Sequence, residues 1–471
     1  MTNPRRRLDA RVVLRSSLAH VRDPLYLNAY ALMASNVVSS GLGLIYWGLA
    51  ARFYSPSAVG EASAVISASL FVTAISQLNL RVALMRLVPE VGKQTGRLVM
   101  TAYATSSFTT AVVASACVLA IPILFPNSAL IGALGPIGAL GFVIGTVSWT
   151  IFNLQDGVLT GLRRALWVPV ENASYGIAKI ILLVIFVTWA PVLGVVGSWF
   201  IPMAFVVIAV TLVLVRWIPQ HARATVDRSF AMNRRRLLGF IAGDYLASLI
   251  SVGITTLLPV LITLTLGSRN GAFFYVVWII GTSLNLLPIY TCASMTVETL
   301  HGSADVQTAV RRVSIHLARI LVPVALVTAV AAPLILSVFG PDYAANGADA
   351  LRVIALSVIP FGVNVMTMAI ARIRGRAAEI ILIQATLAVS TLALTALLLR
   401  PMGVTGVAIA WLLAQLGVAA VLGPLRILPI IRGTPRSSGD PGQTPTLQGL
   451  DAPRKDPEDR VDPEPTGVDL G

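Results

Sequence analysis

The sequence predicts an all-α polytopic membrane protein with about twelve transmembrane helices in two six-helix lobes. Of its 471 residues, 56% are hydrophobic and only 12% are charged, and the mean hydropathy is +0.81. Soluble chains carry about 45–50% apolar and about 25% charged residues, so this chain has too little charge to solvate a surface of its length. At ~20 apolar residues per span, its hydrophobic content suffices for about a dozen helices. The placement of arginine then predicts their orientation.

Apolar runs divide the chain into five segments. A basic cytoplasmic N-terminal arm over 1–25 precedes the first six-helix lobe, 26–215, and a basic cytoplasmic linker over 216–236 leads to the second lobe, 237–432. The remainder, 433–471, holds seven Pro and hardly an apolar cluster, which predicts a disordered cytoplasmic tail. The spans are predicted at about 26–50, 60–80, 98–124, 130–153, 168–190, 195–215, 237–265, 272–296, 315–338, 352–371, 378–399 and 405–425.

Basic residues concentrate in alternate loops. Predicted inner segments hold clusters such as Arg5–Arg7 and Arg234–Arg236, whereas each outer loop holds about one basic residue. Cytoplasmic loops carry the excess of Lys and Arg, so both termini are expected in the cytoplasm, with the chain in the plasma membrane. The same loop pattern accounts for the net charge of +14, and nucleic acid is not expected as a partner. The outer-loop residues are Arg52, Arg269, Arg352 and Arg400.

The two halves share landmarks at a nearly fixed shift. Gly60 matches Gly271 and Pro122 matches Pro333, both 211 residues apart. Two further landmarks recur at shifts of 209 to 211 residues. One is the basic turn after the fourth span of each half, and the other is the Gly-x-x-Gly segment before its last span. With six spans in each half, both enter the membrane in the same direction, which predicts parallel repeats with a substrate site between them.

Polar residues within spans are the candidate site residues. Asn36 lies on a polar stripe of the first span, and Asp244 lies on a matching stripe of the seventh. Such stripes also serve close helix packing. A carboxylate within a span is costly and usually faces a cavity or a partner, although Asp244 is near enough to the cytoplasmic end to snorkel. We interpret Asp244 as a cavity residue and a proton-sensitive, ion-coupling group.

The fifth span carries Glu171 and Lys179, eight residues apart and close to one helical face. Lys179 lies deeper and offers a positive site for a phosphate or a partner for Asp244, while Glu171 is a second ion-coupling candidate. The alternative is a structural ion pair between Glu171 and Lys179. Asn285 in the eighth span completes the expected cavity, although amides in spans, Asn364 included, also join helices.

Motifs for enzymatic chemistry are missing from the sequence. Gly92–Thr95 resembles the end of a phosphate-binding loop, but Leu87 stands where its first glycine is required. The four His and two Cys show no metal-ligand spacing, and no loop exceeds about 25 residues. A membrane polymerase or glycosyltransferase would place carboxylates in a long outer loop. We therefore expect no enzyme, no cofactor and no metal site.

Four segments carry a family resemblance. Ala50–Gly60 resembles the turn between spans one and two of the polysaccharide biosynthesis and oligosaccharide flippase family, the O-antigen and teichoic-acid type exporters of the multidrug/oligosaccharidyl-lipid/polysaccharide (MOP) superfamily. Leu80–Arg86 is similar to the close of its second span. Thr160–Arg164 resembles its basic turn after the fourth span, and Pro401–Gly406 resembles the start of its last span.

The resemblance implies a MOP-flippase-like fold of two lobes around a V-shaped cavity. Its implied activity is moving a polyprenyl-diphosphate-linked oligosaccharide across the cytoplasmic membrane in cell-surface polysaccharide biosynthesis. The expected partners are this lipid-linked substrate, membrane lipids, and polymerases or glycosyltransferases of the same pathway. The alternative function is a proton- or sodium-coupled small-molecule exporter of the same superfamily, for which an acidic cavity is expected. The substrate cavity is expected at Asn36, Lys179, Asp244 and Asn285.

Overall fold

The structure, a computed structural model, describes residues 24–124, 135–188, 191–224, 234–300 and 305–432. Within these ranges the chain is almost entirely helical and contains no β-strand. Side chains are not described for residues 24–34, 37, 124, 224, 234–244, 300 and 432. The predicted tail, most of the basic arm and the middle of the linker lie outside the described residues.

Fourteen α-helices follow one another in the described ranges, and two of them are single short turns near a span end. We call residues 24–224 the first half and residues 234–432 the second half. The helices are α1 (Pro24–Phe53), α2 (Pro56–Ser76), α3 (Leu80–Leu87), α4 (Thr95–Leu124), α5 (Gly135–Gly161), α6 (Trp167–Ile185), α7 (Pro191–Ala224), α8 (Arg234–Leu266), α9 (Ser268–Leu300), α10 (Val306–Val330), α11 (Ala332–Ser337), α12 (Pro341–Ile373), α13 (Ala377–Leu422) and α14 (Leu428–Arg432).

The fold class is confirmed, because helices occupy the places where spans are predicted. Ten helical segments of the described chain are long and apolar enough to cross a membrane. The segment over 377–431 covers both of the last two predicted spans, and α1 covers the first. The count of twelve and the division into two lobes remain predictions.

Several helices extend beyond the predicted spans. α7 continues to Ala224, inside the predicted linker, and α12 begins at Pro341, eleven residues before its predicted span. Hydropathy detects only the part of a helix that lies in hydrocarbon, whereas intrahelical hydrogen bonds continue equally well in water. The predicted span over 315–338 divides instead into α10 and α11, and Pro333 stands in the first turn of α11, where its missing N–H costs no hydrogen bond.

The turn between α1 and α2 is fixed by side chains of the Ala50–Gly60 segment. Ser55 caps α2 by accepting from the Ala58 backbone N–H, and Pro56 occupies the first turn of that helix. The Tyr54 hydroxyl donates to the Leu183 carbonyl of α6 at 2.7 Å. The resemblance segment therefore specifies a turn anchored to its own half.

The same turn also contacts the second half. The Arg52 guanidinium donates to the carbonyls of Val338 and Ser337, at 2.8 Å and 3.1 Å. Ser268, the first residue of α9, donates to the Glu61 carboxylate at 2.9 Å. A Cβ on Gly60 would lie 1.7 Å from the Ser268 carbonyl oxygen, so only glycine permits this approach. The first and second halves thus meet at the end of the bundle that holds this turn.

A sharp reversal at Gly403 divides α13 into two antiparallel arms. Gly403 has φ 56° and ψ −136°, a conformation that disfavours residues with a Cβ. Ile383 and Leu387 of one arm pack with Val418 of the other. Gly406 lies against the first arm, since a Cβ there would be 2.2 Å from the Leu398 carbonyl oxygen. The Pro401–Gly406 segment therefore forms a helical hairpin without a loop.

Asn364 joins helices of the second half. Its side-chain amide donates to the Gln415 backbone carbonyl at 3.0 Å and to the Gln415 side-chain oxygen at 2.8 Å, linking α12 to the second arm of α13. Both side chains are buried. The contact fits the interhelical role that amides play in membrane spans.

Candidate functional site

A cavity of about 380 Å³ lies between the two halves. The first half contributes α1, α2, α5, α6 and α7, and the second half contributes α9. The cavity has the size of a small-molecule site and lies where parallel repeats are expected to meet. Its lining residues are Asn36, Ser39, Ser40, Gly43, Trp47, Leu70, Trp149, Phe152, Asn172, Tyr175, Gly176, Lys179, Trp199, Tyr275, Ile279, Thr282, Ser283 and Leu286.

Lys179 lies at the centre of an aromatic wall. Its ammonium nitrogen is 4.1 Å from the ring centroid of Trp199, 5.0 Å from that of Tyr46 and 5.1 Å from that of Tyr175. Ring faces attract a cation, and the attraction strengthens where water is scarce. Only 5% of Lys179 is exposed, and the described residues place no carboxylate within ion-pair distance of it. The rings therefore hold the ammonium while leaving its charge uncompensated by an anion.

Helix α6 places Lys179 at this position. Lys179 follows Trp167 by twelve residues, ~18 Å along the helix, which is near the middle of a ~30 Å hydrocarbon layer. Tyr175 is four residues earlier and lies on the same face. Gly176 lets α1 approach, because a Cβ there would lie 2.6 Å from a methyl carbon of Leu42.

Hydrogen bonds fix the ring of Tyr46 beside Lys179. The fully buried Tyr46 hydroxyl donates to the Val195 carbonyl at 2.9 Å and lies 2.9 Å from the Ser198 hydroxyl, both on α7. Trp47, the next residue, packs 4.5 Å from the Tyr275 ring, centroid to centroid, and so connects the wall to α9. The aromatic wall is therefore held in place by contacts within the protein, without a ligand.

We expect Tyr46→Phe to lower the thermal stability of the purified full-length protein, because it removes a buried hydroxyl that is hydrogen-bonded to α7. The expected loss is about 1 kcal/mol, the net value of one such bond. Tyr343→Phe is the matched control: the Tyr343 hydroxyl is buried but has no hydrogen-bond partner among the described residues. Equal melting temperatures for the two variants would contradict the anchoring role of Tyr46.

Hydroxyls and amides line the rest of the cavity. Ser39 and Ser40 of α1 face Thr282 and Ser283 of α9, and Asn172 of α6 lies between the cavity and a buried carboxylate. The Asn172 side-chain amide is 3.5 Å from an oxygen of Asp156, a long contact, and 2.9 Å from its own helix at the Val168 carbonyl. Among the lining side chains that the structure describes, Lys179 is the one amine, and none is a carboxylate. The cavity therefore offers a basic group and no acidic one.

Two of the four predicted cavity residues lie in the cavity. Asn36 and Lys179 line it, whereas Asn285 is buried but is not a lining residue, although Thr282, Ser283 and Leu286 around it are. Asp244 lies on α8, and its side chain is outside the described part of the chain. The cavity role of Asn285, and the cavity and coupling roles of Asp244, therefore stay predictions.

Glu171 lies on a different side of α6 from Lys179. Eight residues in an α-helix correspond to a rotation of about 80°, so the interpretation that they share a face is corrected. Glu171 lines a separate groove between α6 and α7, and no ion pair joins it to Lys179 in the described structure. The alternative of a Glu171–Lys179 ion pair is thereby excluded.

The aromatic wall is the feature that sequence reasoning missed. Trp and Tyr within spans are usually expected at the membrane–water interface. Tyr46, Trp47, Trp149 and Trp199 instead lie inside the bundle, and they were not identified as site residues. Each of them lies within five residues of an end of its predicted span (26–50, 130–153 or 195–215), so the sequence offered no signal that they belong to a site.

Comparisons with known proteins give the fold. No family model and no curated protein sequence matches the chain. An inward-facing multidrug resistance MATE family transporter of the MOP superfamily is 17% identical with a TM-score of 0.58, and the match covers 87% of this chain and 96% of that one. A lipid II flippase, MurJ, in an inward closed conformation is 12% identical with a TM-score of 0.65, over 86% and 90%.

A third solved structure is a MOP superfamily transporter from Pyrococcus furiosus whose binding pocket is described as reversed in polarity. It is 17% identical with a TM-score of 0.51, over 86% of this chain and 94% of that one. All three are transporters or flippases rather than enzymes. The chain therefore has the all-helical fold of MOP superfamily transporters.

Proposed function

We propose that this protein is a flippase that moves a polyprenyl-diphosphate-linked oligosaccharide across the plasma membrane in cell-surface polysaccharide biosynthesis. The observation that carries the proposal is the cavity between the halves, in which an uncompensated ammonium lies among aromatic rings, hydroxyls and amides. The likeness to a lipid II flippase supports the same class of substrate.

The cavity chemistry fits the head of such a lipid. Sugar rings present apolar C–H faces and polar edges, which suit flat aromatic side chains beside hydroxyl and amide groups. A diphosphate suits Lys179, because an ammonium forms charge-assisted hydrogen bonds with phosphate oxygens. In this proposal Asn36 binds sugar hydroxyls, while the lipid tail stays in the bilayer.

Movement of the head group requires the halves to separate at one end and meet at the other. The contacts of Arg52, Gly60 and Glu61 with the second half close one end of the bundle in this structure. We propose that this end is the outer one, with both termini in the cytoplasm, and that these contacts open to release the substrate. Asp244 and Glu171 are the proposed coupling groups, since a carboxylate within a span can alternate between charged and neutral forms.

The alternative is a proton- or sodium-coupled small-molecule exporter, which the likeness to a MATE transporter supports equally in fold. A cation-binding exporter requires a carboxylate in its cavity, and the described lining offers an ammonium instead. The charge of the cavity therefore favours an anionic substrate. Polymerases or glycosyltransferases of the same pathway are the proposed protein partners.

Liposomes containing the purified protein test the proposal. We expect leaflet exchange of a fluorescent polyprenyl-diphosphate oligosaccharide well above that of protein-free liposomes, and loss of exchange in Asp244→Asn. A cationic dye, offered under a proton or sodium gradient, tests the alternative in parallel. Dye transport without lipid exchange, in protein shown to be folded, would move the assignment to the exporter.

A further inference from the structure

A second pocket lies on the side of α6 that faces away from the central cavity. It is a groove of about 200 Å³ between α6 and α7, and most of its wall is aliphatic. Val170 is more than half exposed at its edge, so the groove opens on the outer surface of the bundle, which faces lipid. Its lining residues are Leu159, Trp167, Val170, Glu171, Ser174, Val206, Ala209, Val210, Val213 and Trp217.

Glu171 is the one acidic residue in the described lining of this groove. Only 4% of Glu171 is exposed, and neither carboxylate oxygen has a hydrogen-bond partner among the described residues. A buried carboxylate without donors is unfavourable, and such groups in membrane spans are normally paired. No described residue supplies a donor here, so the site has room for one from a ligand.

An arginine and two tryptophans stand at the mouth of the groove. The rings of Trp167 and Trp217 are 5.2 Å apart, and the Arg164 guanidinium carbon lies 4.6 Å from the Trp217 ring centroid. Arg164 is exposed, and it precedes the first residue of α6. Trp and Arg are typical of the membrane–water interface. Glu171 follows Trp167 by four residues, so it lies ~6 Å further along the helix from this mouth.

We propose that this groove is a binding site for a phospholipid with a primary amine in its head group, of the phosphatidylethanolamine type. Its ammonium donates to Glu171, its phosphate contacts Arg164, and an acyl chain lies along the valines of α7. In an extended head group the ammonium lies beyond the phosphate. The two-carbon link between them therefore bends inward, which places the ammonium on the carboxylate while the phosphate stays on the guanidinium at the mouth. A lipid is the appropriate occupant because the groove opens to the bilayer.

In this assignment Glu171 binds a lipid ammonium, whereas its proposed coupling role has it bind a proton. The assignment does not depend on which substrate the central cavity binds. Native mass spectrometry of the full-length protein, with equimolar phosphatidylethanolamine and phosphatidylcholine of identical chains, measures the preference directly. We expect about tenfold more of the amine lipid to bind, the effect of one charge-assisted hydrogen bond. Stepwise N-methylation should lower binding of the wild-type protein as N–H donors are lost.

Three variants locate the site. Glu171→Gln should abolish the preference, and Arg164→Gln should weaken binding of both lipids, since both carry a phosphate. Glu379→Gln, which removes a carboxylate paired with Arg426 at 2.9 Å in the second half, should retain the wild-type preference. Equal binding of the two lipids by wild type, or an unchanged preference in Glu171→Gln, would overturn the proposal. The proposal would also be overturned if Glu171→Gln lost a pH dependence of transport without any change in lipid binding. Glu171 would then remain a coupling group.

Discussion

Replacing Lys179 with methionine is expected to slow flipping of a polyprenyl-diphosphate oligosaccharide about 10- to 100-fold without lowering the thermal stability of the protein. A hydrogen bond to a charged group contributes about 1.5–3 kcal/mol, which corresponds to that change in rate if the contact forms during transport. Stability should be unchanged or higher, because an uncompensated buried ammonium is unfavourable and methionine packs well against aromatic rings.

The combination of slower transport and retained stability separates a substrate contact from a structural role. Lys93→Met is the control, since Lys93 is exposed and does not line the cavity. We expect it to transport and melt as the wild type does. A Lys179→Met protein that melts at a clearly lower temperature would show that the aromatic wall needs the ammonium for packing. One that flips at the wild-type rate would remove Lys179 from the proposed mechanism.

Gly60→Ala is expected to destabilise the described conformation by more than the usual 1–3 kcal/mol of an overpacked site. A Cβ at this position would lie 1.7 Å from the Ser268 carbonyl oxygen and 3.0 Å from the Ala272 nitrogen. Both atoms belong to backbone, so no side-chain rotation relieves the overlap. The first and second halves must then separate at this end, and we expect transport to fall at least about tenfold, since 1.4 kcal/mol already corresponds to that factor.

Gly141→Ala is the matched control, because Gly141 lies within α5 and a Cβ there meets no atom within 4 Å. Alanine should stabilise that helix by roughly 0.5–1 kcal/mol. Melting temperatures of both variants, with flipping rates measured on the same preparations, provide the comparison. Wild-type behaviour of Gly60→Ala would contradict the close contact of α2 with the start of α9.

Hydropathy and charge were enough to predict the fold class and the positions of the helices in the chain. The sequence could not show where α7 ends or where α12 begins, because helices continue in water with the same backbone hydrogen bonds. It did predict a break between the spans over 378–399 and 405–425, but it could not show that the reversal takes place at the single residue Gly403. A positive φ is a property of the folded backbone, and glycine in a membrane span is common for other reasons.

The candidate site was less predictable than the fold. Lys179 and Asn36 were identified because polar residues are rare in spans, and that argument needs no knowledge of neighbouring helices. Predicting the wall of Tyr46, Trp47 and Trp199 requires knowing how two helices, α1 and α7, are rotated about their axes. Glu171 was grouped with Lys179 by sequence distance alone, and a rotation of about 80° is enough to place it in a different environment.

The reversal at Gly403 also bears on how the protein enters its membrane during synthesis. The two arms of α13 follow one another without a soluble connection, and their mutual contacts, such as Leu387 with Val418, are close in sequence. Contacts that are close in sequence form with little loss of chain entropy. The last two spans therefore have what is needed to insert together as one preassembled unit, which then packs on the earlier α12 through the hydrogen bond from Asn364 to the Gln415 side-chain oxygen.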